Sequence, residues 1–82
     1  MESEIRAFIA DNFLLGDDVQ NLPGSASLID AGIIDSTGVL ELVGFLEDRY
    51  GIRIADHELL PENLDSIDNV IRFVGEKQSA AA

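Results

Sequence analysis

An 82-residue chain without cysteine makes one small domain that no disulfide braces and that has no side-chain thiol for chemistry. Sixteen acidic residues against five basic ones leave a net charge of -11, which argues against nucleic acid or an anionic membrane as partner and favours basic proteins. The 46% apolar fraction supports a core, the acidic Met1-Glu2-Ser3-Glu4 start lacks a signal sequence's apolar segment, and no stretch approaches the ~18 apolar residues of a membrane span, so a folded, cytoplasmic monomer is expected.

Ile5, Phe8, Ile9 and Phe13 fall on one face of a first helix from about Ser3 to Leu14, with Ser3 as its cap and Gly16-Asp17-Asp18 as its end. From Val19 to Ile34 the periodicity fails. Asn21, Pro23, Gly24 and Ser25 are loop residues, and Leu22, Leu28, Ile33 and Ile34 are expected to pin this long connection to the core.

Gly32 marks a tight turn, and Asp35 or Ser36 can accept from the free N–H groups that open a second helix, Ser36 to Tyr50, which Gly51 ends. On a wheel at about 100° per residue, Val39, Leu42, Val43, Leu46 and Tyr50 share a core-facing arc. The opposite arc holds Ser36, Thr37, Glu41, Gly44, Glu47 and Asp48 around one apolar residue, Leu40. That arc is either an ordinary solvated face or a docking surface anchored by Leu40 and steered by its acidic rim. Gly38 and Gly44 read as exposed helical glycines that either permit close approach of another backbone or are merely tolerated there.

Ile52-Arg53-Ile54 is too short to found a sheet. Asp56 is expected to cap a short turn reaching Leu59 or Leu60, and Pro61-Glu62-Asn63-Leu64 to break the pattern. Asp65 or Ser66 opens a last helix whose stripe is Ile67, Val70, Ile71 and Val74, with Phe73 at its edge. The fold class is therefore all-α: a four-helix bundle of three longer helices and one short one, a single domain over residues 1–78 with a frayed tail at 79–82.

Catalytic equipment is sparse. The one histidine, His57, reads as a surface residue, and nothing places it beside Ser36 for nucleophilic catalysis. Neither Asp17-Asp18 nor the Asp30 to Asp35 segment has calcium-loop spacing, so no metal site is expected. The chain reads as one acted upon rather than acting.

Asp35-Ser36, preceded by Gly32-Ile33-Ile34 and followed by Val39-Leu40-Glu41-Leu42-Val43, closely resembles the modification motif of acyl carrier proteins. The similarity extends through Leu46-Glu47-Asp48-Arg49-Tyr50-Gly51-Ile52 and Ile54-Ala55-Asp56 over nearly the whole chain. It implies that Ser36 carries 4'-phosphopantetheine, installed from coenzyme A by a magnesium-dependent phosphopantetheinyl transferase, with Asp35 beside it. An acyl or aminoacyl group then rides on the arm as a thioester. The resemblance further implies that Asp35, Glu41, Glu47, Asp48 and Asp56 meet basic patches on a loading ligase and acyl-processing enzymes, and that Val43, Leu46, Tyr50 and Ile54 either line an acyl pocket or simply pack the core. Thr37 and Gly38 make the motif Asp-Ser-x-Gly, more similar to D-alanyl and other stand-alone carriers with a dedicated ligase, and remove an acidic partner contact at position 38. Asp65-Ser66-Ile67 imitates the motif but lacks the preceding glycine and the long acidic helix, and reads as a helix cap. The alternative is an acidic interaction module without covalent cargo.

Overall fold

The computed structural model describes residues 1–14 and 22–81. The Gly16-Asp17-Asp18 stop, Val19, Asn21 and Ala82 lie outside the described residues. Helix α1 spans Glu2–Ile9 and widens to π-helix over Ala10–Leu14. It begins one residue earlier than the sequence suggests. Met1 occupies the cap position with no side-chain bond, so Ser3 lies inside the helix and does not cap it.

Helix α2 spans Ser36–Tyr50, the bounds expected from its flanking signals. Asp35, extended at φ -108°, accepts the Gly38 N–H, and Gly51 takes the left-handed conformation at φ 65° that other residues resist. A 3₁₀ turn over Asp56–Glu58 follows. Asp56 starts this turn but does not cap it; the Glu58 side chain reaches back to the Ala55 N–H at 2.9 Å. Pro61–Leu64 forms the one-turn helix α3 instead of breaking the chain, because proline is well suited to a first helical position, where no N–H is needed. Helix α4 spans Ile67–Ala81. No strand occurs among the described residues.

Ile5 and Ile9 of α1, Leu42 and Leu46 of α2, and Ile67, Val70 and Val74 of α4 are fully buried, with Leu64 of α3 closing one end. Phe73 belongs to this core as well, rather than to its edge. The described part of the long connection is pinned as its apolar residues suggest: Leu28 and Ile34 are buried, and Leu22 and Ile33 pack against the core. Each fully buried aliphatic side chain stabilises the fold by roughly 1.5–3 kcal/mol before conformational entropy is set against it.

Polar contacts tie the ends together. Arg49 at the end of α2 pairs with Glu4 of α1, and the Tyr50 hydroxyl donates to Glu4 Oε1 at 3.0 Å. Burial raises the Tyr50 hydroxyl above its ordinary pKa, partly opposed by the Arg49 cation. The connection between α1 and α2 is held onto the start of α4, where Asp68 N–H donates to the Gly24 carbonyl at 3.0 Å and Leu28 N–H to the Asp65 carbonyl at 2.6 Å.

Candidate functional site

The turn before α2 is built by backbone bonds that bring Ala31 N–H to Ser27 O, Gly32 N–H to Ile29 O, and both Ile33 and Ile34 N–H to Leu28 O. Gly32 closes it at φ 73°, a conformation a side chain would strain. Ile34 is then buried and Asp35 emerges extended, so the chain enters α2 with Ser36 as its first helical residue. The cap is Asp35, whose Oδ1 accepts from Gly38 N–H at 2.8 Å. Ser36 is therefore spared that task and stays exposed, as does Thr37. Among the described residues, nothing accepts from the Ser36 and Thr37 N–H groups, which stand at the positive end of a four-turn helix.

Beside Ser36 lies a groove of about 460 Å³. Ile29, Val39, Leu40, Leu59, Leu60, Pro61 and Leu64 line it, with Ser36 and Asp65 as its polar members. Three of its residues, Ile29 at 45%, Leu40 at 60% and Leu60 at 41%, are among the most exposed large apolar side chains of the molecule. Their clustering at one serine is the kind of patch that marks a binding surface. Leu40 was legible from the wheel. Ile29, Leu59 and Leu60 were not, because they sit in turns without periodicity; two leucines before a proline were the only hint.

The acidic arc divides. Glu41 and Asp48 are exposed, and Asp56 is exposed on the 3₁₀ turn. Glu47 is half-buried, and its Oε2 accepts the Ile54 N–H at 2.9 Å, holding the segment after α2. Gly44 is exposed with open space above it. Gly38 is not exposed: a Cβ there would meet the Phe13 ring and Ile34, so the close approach it permits is internal. A side chain at position 38 would face the core, so no acidic partner contact is missing there. Leu46 is wholly buried, and Val43, Tyr50 and Ile54 pack against the core; none of these four lines the groove at Ser36. His57 is exposed and also stands apart from that groove. Ser66, in the second Asp-Ser-Ile, is buried and caps α4, accepting from Asn69 N–H at 3.1 Å.

Residues 4–74 match the family described as the phosphopantetheine attachment site. The chain belongs to that family. It is similar to an acyl carrier protein of Chlamydia muridarum (strain MoPn / Nigg), at 28% identity over 96% of this chain and 97% of that protein. It is also similar to a D-alanyl carrier protein of Streptococcus sanguinis (strain SK36), at 29% identity over 98% of each. It is a carrier domain whose cofactor is covalent 4'-phosphopantetheine, and it is not itself an enzyme. Carrier proteins work with a phosphopantetheinyl transferase and with acyl-processing enzymes. No helix among the described residues is long and apolar enough to cross a membrane.

The junction fits such a group. An exposed hydroxyl stands at a helix N-terminus, where two N–H groups without acceptors suit the phosphodiester's negative charge. When bound, the arm supplies the thiol that this cysteine-free chain lacks.

Proposed function

We propose that Ser36 is the residue that bears the arm, and that the domain presents an acyl or aminoacyl thioester to successive enzymes from the α2 surface. The observation that carries this is the division of labour at the junction: Asp35 caps α2, so the Ser36 hydroxyl stays exposed and uncommitted at the first helical position. Ser66, its sequence mimic, is buried at 6% exposure and occupied as a cap. The apolar groove beside Ser36 supports a resting place for the arm or the near end of its cargo, sheltered by Ile29, Leu40 and Leu60. Of the four residues of the expected acyl pocket, Leu46 would be reached only if the core opened, and the half-buried Val43, Tyr50 and Ile54 stand outside this groove. Glu41 and Asp48 steer basic partners, Leu40 anchors them, and Asp56 extends the acidic surface; Glu47 contributes while holding Ile54. The domain acts as a monomer in the cytoplasm.

Both acyl and aminoacyl cargo, D-alanyl included, fit this reading, and the two relatives, an acyl carrier protein and a D-alanyl carrier protein, span both. In this structure the Gly38 of Asp-Ser-x-Gly makes room for the Phe13 ring.

The test is intact mass after incubation with coenzyme A, magnesium and a broad-specificity phosphopantetheinyl transferase. The expected result is a gain of one arm by the wild type and by Ser66→Ala, and none by Ser36→Ala. A gain that persists in Ser36→Ala overturns the assignment.

A further inference from the structure

The second Asp-Ser-Ile has a serine that caps α4, and its aspartate does something else. Asp65 Oδ2 accepts from the Ser27 hydroxyl at 2.5 Å, and Oδ1 accepts from Ile29 N–H at 2.8 Å. The Asp65 carbonyl accepts from Leu28 N–H at 2.6 Å. Ser27 Oγ in turn accepts from Asp30 N–H at 3.0 Å, closing the turn on itself. One residue at the α3–α4 junction thus holds three consecutive residues of the distant connection. The middle one, Leu28, is buried, and its own carbonyl accepts from Ile33 N–H at 3.0 Å and Ile34 N–H at 3.2 Å. Those two residues immediately precede Asp35-Ser36. Asp65 and Ile29 also both line the groove at Ser36.

We propose that Asp65 is a positioning residue for Ser36: through Leu28 it fixes the entry into α2, and through Ile29 it sets the lip of the groove. The inference rests on Ser36 being the attachment residue. A merely structural loop anchor would lower stability and leave the reaction of the folded protein unchanged. A positioning residue slows the reaction even when the protein is folded, because a displacement of the order of 1 Å at a reacting atom costs a large factor in rate. In that reaction Ser36 Oγ forms the ester bond to phosphorus, the phosphoanhydride of coenzyme A breaks, adenosine 3',5'-bisphosphate leaves, and the hydroxyl proton is lost.

The experiment measures kcat/KM for arm transfer to the full chain, corrected for the folded fraction by circular dichroism, with amide chemical shifts of Ile33, Ile34 and Gly38 recorded alongside. Asp65→Ala should lower kcat/KM about tenfold or more and move the Ile33 and Ile34 amides. Asp65→Asn keeps an acceptor for Ile29 N–H and should recover much of the rate. Ser27→Ala should fall between. Ser66→Ala, which removes the neighbouring cap without touching the connection, should react at the wild-type rate. The proposal is overturned if folded Asp65→Ala reacts like wild type with its amides unmoved, or if Ser66→Ala slows as much. Should Asp65→Ala not fold, Ser27→Ala, which removes the bond to Asp65 Oδ2 from the other side, decides by the same two readouts. A wild type that gains no arm would sink the Ser36 assignment instead, and the amide shifts alone would then judge the clamp, unmoved amides overturning it.

Discussion

A Cβ added to Gly38 would stand 2.9 Å from the Phe13 ring and 3.1 Å from the Ile34 side chain. Real Cβ atoms do not come so close to an aromatic carbon, so Phe13 or α2 would have to move. Replacing a helical glycine by alanine ordinarily stabilises by about 1 kcal/mol. At Gly38 the sign should reverse, with Gly38→Ala costing about 1–3 kcal/mol through overpacking. At Gly44, where nothing lies within 4 Å, Gly44→Ala should follow the ordinary rule and stabilise. Urea unfolding of both variants checks the pair; equal effects of one sign would contradict this packing.

Asp35 has two separable roles, one as a cap and one as a charge. Its bond to Gly38 N–H should make Asp35→Ala cost about 1 kcal/mol, whereas Asp35→Asn, an equally good cap, should cost little. If the carboxylate also meets a basic patch on the transferase, Asp35→Asn will keep its unfolding midpoint yet raise KM in the mass-transfer assay, more at low salt than at high. An unchanged KM would confine Asp35 to capping.

Where local chemistry decides, the sequence is legible. Asp35 and Gly51 bracket α2, and both act through their own backbone neighbourhood, so its bounds follow from the residues themselves. The helical spacing of Ile5, Phe8 and Ile9 likewise places α1. Legibility ends where a contact joins distant segments. A helical wheel gives Gly38 an angle but not the Phe13 ring that comes to it from the π-helical turn after α1. Pro61 signals a break from within but starts a helix when Leu60 is extended before it. The groove at Ser36 gathers Ile29, Leu40 and Leu60 from three segments, and the Asp65 clamp joins two loops with no periodicity to betray either.

The exposed face of α2 combines an apolar anchor with charges that no described residue neutralises. Leu40 is 60% exposed, and Glu41 and Asp48 flank the open surface above Gly44, over a floor where Phe8 and Phe45 stack with centroids 4.3 Å apart. Charges at such a rim act mainly on encounter, and an apolar anchor acts mainly on residence. Glu41→Lys with Asp48→Lys should therefore slow association with a basic partner enzyme, with most of the loss vanishing at high salt. Leu40→Ala should speed dissociation at any salt. Stopped-flow binding to the transferase at two ionic strengths separates them. A salt-independent effect of the charge reversals would mean contact rather than steering. None of the three changes should alter stability by more than about 0.5 kcal/mol, because all three sites are exposed.

Glu58 links the 3₁₀ turn to α4, and this linkage should be visible as pH dependence. Its Oε1 accepts from Lys77 Nζ at 2.8 Å and from Ala55 N–H at 2.9 Å. The Lys77 bond first, and the Ala55 bond after it, hold the carboxyl below its ordinary value of 4.5. The folded protein thus gives up this proton more readily than the unfolded chain does. Well above 4.5 both states are ionised and the stabilisation is complete. As pH falls below that value the unfolded chain takes up the proton first, and the stabilisation fades until the folded carboxyl is protonated too. Glu58→Gln removes the charge while keeping an acceptor for Ala55. It should be less stable than wild type at neutral pH, and the gap should close in acid. Adding salt at neutral pH should narrow the gap too, since the pair with Lys77 is accessible to ions. Urea midpoints of the two proteins across the acid range decide it, and a gap that stays constant below 4.5 would show that the Lys77 pair contributes nothing. Because Leu59 and Leu60 follow this turn directly into the groove at Ser36, the same titration should appear in the Leu60 amide of the wild type and be absent from Glu58→Gln.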